Sequence, residues 1–304
     1  MRQLLLFCLV AGMVCGCSQL APPPGPSDPI PEPREPTGAI ILVSASDVTI
    51  RNNATGAVKP AKAGDVTFDG HTVITGKERG GKAVLLFSNG NVITLEGDSR
   101  LNLRKFTQTK FKASSIKIFA LEKEPSESRT SLVLEVGELI ADVKRGNNRS
   151  RFDVSSPIGT IGIRGTTFAL NARPLPGGSL RGIAAVGKGL VHFTPPSPRP
   201  TPGIPNPPWP HPTSLSQGEV MSVAVTAAGV PVVSPPAPAP AAQLAAMQAT
   251  VSSGNKLTAE ITLNTVAAAL SEVAAKAKKR LPPPARPKEV GEEPEPDDPD
   301  SPER

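Results

Sequence analysis

The feature that most constrains this chain is the placement of its prolines. Of 36, eight fall between Pro22 and Pro36, ten between Pro195 and Pro212, five between Pro231 and Pro240, and eight between Pro282 and Pro302. Proline fixes φ and lacks a backbone N–H, so such tracts build neither helix interiors nor central strands. A core has to come from the sequence between them. Residues 38 to 172 contain only Pro60, Pro125 and Pro157 and hold most of the Val, Ile, Leu and Phe. That describes one medium globular unit embedded in extended sequence and argues against a large two-domain enzyme. Tyrosine is absent and the single tryptophan, Trp209, lies in a proline tract. The core is therefore aliphatic with a few Phe, and aromatic platforms for bases or sugars are scarce.

Between the tracts the apolar runs have strand length. AIILV at 39 to 43, DVTI at 47 to 50, HTVITG at 71 to 76, KAVLLF at 82 to 87 and NVITL at 91 to 95 are rich in β-branched residues and separated by Gly or Asn. Asn89-Gly90 between two of them predicts a hairpin with a type I′ turn. Further strand-and-turn patterns occupy 132 to 145, 151 to 171, 182 to 193 and 214 to 225. The expectation is an all-β domain over 38 to 225, a twisted antiparallel β-sandwich or solenoid-like unit, with the proline-rich 195 to 213 as an inserted surface loop. Residues 18 to 37 read as a polyproline spacer and 226 to 242 as a second linker. From 243 to 281 the composition shifts to Ala, Leu, Glu and Lys, which predicts a short helical segment interrupted at Ser252-Ser253-Gly254. EEPEPDDPD at 292 to 300 belongs to an acidic tail, 282 to 304, that cannot bury apolar area and is expected to be disordered.

Cys8, Cys15 and Cys17 are the only cysteines, so the β unit has no disulfide, thiol nucleophile or thiolate metal site. Met1 to Gln3 followed by the apolar Leu4 to Val14 matches a secretory leader too short to span a bilayer. Val14-Cys15-Gly16-Cys17 resembles a bacterial lipobox. That resemblance implies a leader of residues 1 to 17 and a lipidated Cys17, with Ser18 after it favouring the outer membrane and hence the cell envelope. The alternative is an ordinary signal peptide that leaves Cys17 as a free thiol.

Charge and chemistry are modest. The formal net charge is +6, which is weak over this length, and no nucleic-acid partner is expected. Arg100, Arg104, Lys105, Lys110, Lys112, Lys117 and Lys123, interleaved with Phe106 and Phe111, read either as a solvated strand face or edge or as a ribbon for an anionic polymer. His71, His192 and His211 show no metal spacing, and no nucleophile-elbow, P-loop or zinc-protease pattern occurs. The acid pairs Asp65 with Asp69 and Glu122 with Glu124 resemble solvated turns. Neither an enzyme nor a cofactor is expected. A glycan hydrolase, the catalytic alternative, would need two carboxylates about 5 to 10 Å apart in a cleft.

Two blocks resemble FecR-type domains. The first runs from Gly64-Asp65-Val66 through Ala83 to Gly90. The second comprises Gly137-Glu138-Leu139, Phe152 to Pro157, and Ile163-Arg164-Gly165-Thr166-Thr167-Phe168, with Ala185-Val186-Gly187 and Gly218-Glu219 similar to the trailing strands. The resemblance implies a β-rich envelope module of the kind found in regulators of cell-surface signalling and in other bacterial envelope proteins. Its signature residues here are Gly90, Gly137, Pro157, Arg164, Gly165, Thr166 and Phe168. Sigma-factor control is not implied, because no membrane-spanning run of about 20 apolar residues is found. A glycine within the β-branched run at 163 to 168 predicts a bulge or tight turn, and a buried Arg164 there would require Asp142 or Asp153 as partner. The overall expectation is a non-catalytic, membrane-anchored module that binds or scaffolds an envelope protein or glycan. A component of cell-surface signalling is the alternative.

Overall fold

The computed structural model describes residues 37–77, 80–197 and 211–278. Cys17, the leader and spacer before residue 37, most of the proline loop and the acidic tail lie outside these residues. The strands are β1 Ile40–Ser46, β2 Val48–Asn52, β3 Val58–Pro60, β4 Val66–Thr67, β5 His71–Thr75, β6 Lys82–Phe87, β7 Val92–Leu95, β8 Arg100–Gln108 and β9 Ser128–Asp142. They continue as β10 Arg151–Ser156, β11 Gly159–Ile163, β12 Thr167–Pro174, β13 Leu180–Lys188, β14 Leu190–Thr194, β15 Thr213–Ser216, β16 Glu219–Val225, β17 Pro231–Val233 and β18 Ala237–Pro238. Two helices follow, α1 Ala241–Leu257 and α2 Leu263–Lys278.

The strands form two layers. One sheet runs β3-β2-β5-β8-β9-β10-β11-β14-β15. The other runs β4-β1-β6-β7-β9-β12-β13-β16, with β17 and β18 along the outer edge of β16. β9 belongs to both, because its first half pairs with β8 and β10 and its second half with β7 and β12. Among the named strands of the described residues the β9–β10 pair is parallel and the others pair antiparallel. The chain crosses repeatedly between layers, and several of the crossings use left-handed backbone, among them Asp47 at φ 48°, Asp98 at φ 56° and Gly137 at φ 108°. Asp tolerates this region through its short polar side chain. Gly137 has a second reason, since a Cβ there would sit 2.2 Å from Ser99 Oγ and 2.4 Å from Ser99 Cα.

Between the layers lies one aliphatic core. Leu101, Leu103, Leu132, Leu134, Val154, Ile161, Val191 and Phe193 from the first sheet meet Ile40, Leu85, Phe87, Ile93, Leu139, Phe168, Leu170 and Val186 from the second. Phe87 and Phe106 pack edge to face with ring centres 5.0 Å apart. Phe106 is thus a core residue and no aromatic platform, and β8 is an interior strand, so Arg104 and Lys105 lie on its exposed face and not on an edge.

The helices close the outer face of the second sheet. Ala39, Ile41, Val84, Leu86 and Val92 form a second cluster with Ile118, Leu263, Val266, Ala269 and Val273. This explains why KAVLLF and NVITL read as continuous apolar runs: both of their faces are covered. Ser252-Ser253-Gly254 does not interrupt the helix. α1 runs through it, and Gly254 is buried where the helix approaches β7, a Cβ there lying 3.2 Å from Val92 Cγ1. The break comes instead at 258 to 262. There Ile118 N donates to Ile261 O and Leu263 N to Ile116 O, tying the segment to the 109–127 loop. The expected 226–242 linker is also partly sheet, with Pro231 and Pro238 in edge strands where a missing N–H is tolerated.

Candidate binding face beside the signature corner

The signature residues make turns and crossings of the sandwich: Gly90 and Gly165 lie at one end beside Lys144 and Arg145, whereas Gly137 packs on Ser99 and Pro157 lies at the far end of the β10–β11 hairpin from Arg164. Gly90 closes the β6–β7 hairpin. Gly90 N donates to Phe87 O at 2.8 Å and Phe87 N to Asn91 O at 2.9 Å. Of the two turn residues only Gly90 has positive φ, 92°, so the turn is of type I with a bulge and not the expected type I′. Burial of the tip explains the difference. Ser88 and Asn89 are enclosed, Ser88 Oγ donating to Gln108 Oε1 at 2.5 Å and Asn89 Nδ2 to Ser128 Oγ at 3.0 Å.

That network ends on a buried carboxylate. Glu124, 6% exposed, accepts from Ser128 Oγ at 2.6 Å through Oε2 and from Asn147 N at 2.6 Å through Oε1. Ser128 N donates to Ser150 Oγ, and Lys144 N to Asn91 Oδ1 at 2.8 Å. Glu124 is therefore no solvated turn. It holds the 124, 128 and 147 segments together, as a buried acid does when every oxygen is bonded. Of the other acid pair, Asp65 Oδ2 accepts from Lys62 N.

Pro157 begins the two-residue turn between β10 and β11. Arg164-Gly165-Thr166 carries the chain from β11 in the first sheet into β12 in the second. Gly165 has φ 71°, as a tight turn requires. Thr166 is buried, donating from Oγ1 to Leu190 O at 3.0 Å and accepting from Val143 N at its carbonyl. Phe168 is fully enclosed in the core. Arg164 differs from the expectation. It is exposed, and neither Asp142 nor Asp153 forms an ion pair with it. Asp142 is engaged elsewhere, accepting from Thr167 Oγ1 at 3.0 Å and Asn255 Nδ2 at 3.3 Å.

Arg164 instead lines a groove of about 530 Å³ on the outer face of the first sheet, with Arg151, Asp153, Gly162, Leu190 and His192. The groove exists because Gly162 has no side chain between Asp153 on β10 and His192 on β14. His192 Nδ1 lies 3.0 Å from Ser214 Oγ. Burial raises the Asp153 carboxyl above its ordinary 3.8, and neighbouring Arg151 opposes that shift. The arrangement gathers two guanidinium groups, a partly desolvated carboxyl and an imidazole at the rim of a polar sheet. It suits recognition of a polar partner by charge and hydrogen bonding. Sequence reasoning found Arg164 and offered Asp153 as a partner for it, but missed His192, since strand order alone brings β10, β11 and β14 side by side. Among the described residues, no three His, Cys, Asp or Glu side chains are placed to hold a metal ion. No helix among them is long and apolar enough to cross a membrane.

Residues 71–180 match the family model described as FecR protein. Crystal structures of a provisionally assigned anti-sigma factor from Parabacteroides distasonis ATCC 8503, at 1.65 and 2.50 Å, are similar at 14% identity with TM-scores of 0.33 and 0.32. Each alignment covers 53% of this chain and 57% of the other, so it spans little more than half of those proteins. No curated protein matches. The match takes in β5 to β12, which includes both ends of the Glu124 network and every signature residue, so this region of the chain is similar to the FecR family.

Proposed function

We propose that this protein is a regulatory component of cell-surface signalling, held in the cell envelope through Cys17, whose FecR-like domain recognises another envelope macromolecule and performs no chemistry. The unequal covering of the two sheets carries this reading. The outer face of the second sheet is capped by α1 and α2, whereas the first presents Arg151, Asp153, Arg164 and His192 around a groove that no described residue fills. A polar, half-buried sheet face with charged groups at its rim suits a protein partner or a polar glycan. The FecR match favours signalling over a purely passive scaffold. Glu124, the buried carboxylate of the corner, is bonded on both oxygens within the fold.

The test is crosslinking in intact cells followed by identification of partners, with Cys17→Ser as control. A specific envelope partner captured by the parent chain and lost when Cys17→Ser moves the protein from the membrane pellet to the soluble fraction supports the proposal. A mature chain beginning away from Cys17 refutes the anchor. Glycan turnover by the purified protein refutes the binding role.

A further inference from the structure

A second groove, away from the polar face, is formed where α1 lies over the second sheet. It has a volume of about 590 Å³, within the range of about 300 to 1,000 Å³ usual for small-molecule sites. Its apolar lining comes from Phe119, Val251 and Ala259, and Lys188 and Lys256 sit among the lining residues. Phe119 is 44% exposed, a large ring left without cover at the groove. Both lysines are exposed, and neither makes an ion pair among the described residues. Asn255, also in the lining, has a buried Oδ1 with no hydrogen-bond partner, while its Nδ2 donates to Asp142 Oδ2. The nearby acid Asp142 is already bonded by Thr167 and Asn255. The lysines therefore set the sign of charge that a ligand meets.

We infer that this groove binds a single-chain amphiphile, an acyl chain along the Phe119, Val251 and Ala259 wall with an anionic head between Lys188 and Lys256. Charge complementarity selects this occupant over a neutral or cationic amphiphile of equal chain length, because chain burial contributes equally to all three. The groove depends on α1, which lies beyond the 71–180 FecR match, so the site is an addition of this chain to that region. It is independent of whether the first sheet recognises a partner.

The test is titration calorimetry on the full chain carrying Cys17→Ser, so that any bound acyl chain comes from solution. The probe is 3-hydroxydodecanoate below its critical micelle concentration, with dodecyl maltoside as the neutral match. The expected result is saturable binding of one 3-hydroxydodecanoate, at least about tenfold tighter than the maltoside. Lys188→Gln with Lys256→Gln should remove that advantage and leave maltoside binding unchanged. Both side chains are exposed, so this variant keeps the fold, which an unchanged melting temperature verifies. Val251→Trp, which fills the groove, should abolish binding of both. Equal affinity for the two probes overturns the inference, as does undiminished binding by the lysine variant or by a folded Val251→Trp protein. Competition by an acidic amphipathic peptide at lower concentration than the acyl probe overturns the choice of occupant.

Discussion

Gly137 and Asp153 carry different kinds of information. At Gly137 the constraint is steric twice over, a positive φ of 108° and a missing Cβ that would lie 2.4 Å from Ser99 Cα. Gly137→Ala is expected to cost ~3 to 5 kcal/mol, from left-handed strain together with overpacking, read as a fall in the denaturant midpoint. Asp153 is a matter of charge. Its folded pKa is raised above the ordinary 3.8, so the folded state holds the proton more tightly than the unfolded chain. Stability from this residue is present below that value and falls as pH rises through the folded pKa. Asp153→Asn is therefore expected to melt higher than the parent at pH 7 and no differently below about pH 3.8, as thermal scans across pH would record. Because the group is only partly buried, the gain is small. A lower melting temperature for the variant at neutral pH would mean that the carboxylate is stabilised by contacts that burial does not outweigh.

Among the elements, those written in short-range pattern were legible and those set by distant packing were not. The hairpin at Asn89-Gly90 was readable because a glycine turn between two β-branched runs has few alternatives. Its turn type was misread because Ser88 and Asn89 spend their side chains on Gln108 and Ser128, far along the chain. The strand at Pro231 and the continuity of α1 through Gly254 were hidden for the same reason. A proline or glycine that breaks an isolated element is tolerated at a sheet edge or at a close helix-to-sheet contact. The sequence placed Arg164 in a turn and left its burial open, since nothing in a linear sequence reveals that Asp142 is already bonded by Thr167 and Asn255. Packing of α2 on the second sheet gives a direct prediction. Leu263, 4% exposed, anchors the helix beside Ile118. Leu263→Ala should cost about 2 to 5 kcal/mol and increase binding of a hydrophobic dye, as the outer face of β6 and β7 becomes accessible. Unchanged stability would show that the helices contribute little to the β unit.

For the molecule as a whole, repeated crossings, among them those at Asp47, Asp98, Gly137 and Gly165, fold one ribbon of strands into two layers whose outer faces are unequally covered. The apolar face is closed by the chain's own helices, and the polar face is left with the groove around Arg164. The proline loop joins β14 to β15, which are already paired through Val191 with Leu215 and Phe193 with Thr213. Protease cleavage between 198 and 210 should therefore leave the far-ultraviolet circular dichroism of the β unit intact, and its collapse would show that the loop holds those strands together. The central claim is that the first sheet's outer face meets the partner. It is tested most directly by a photoreactive residue in intact cells, placed at His192 in one strain and at the exposed Ala274 of α2 in another. The account predicts one discrete adduct with an envelope component from position 192, lost on Arg151→Glu with Arg164→Glu, and none from 274. The same adduct from both positions, or an adduct from 274 alone, would contradict it.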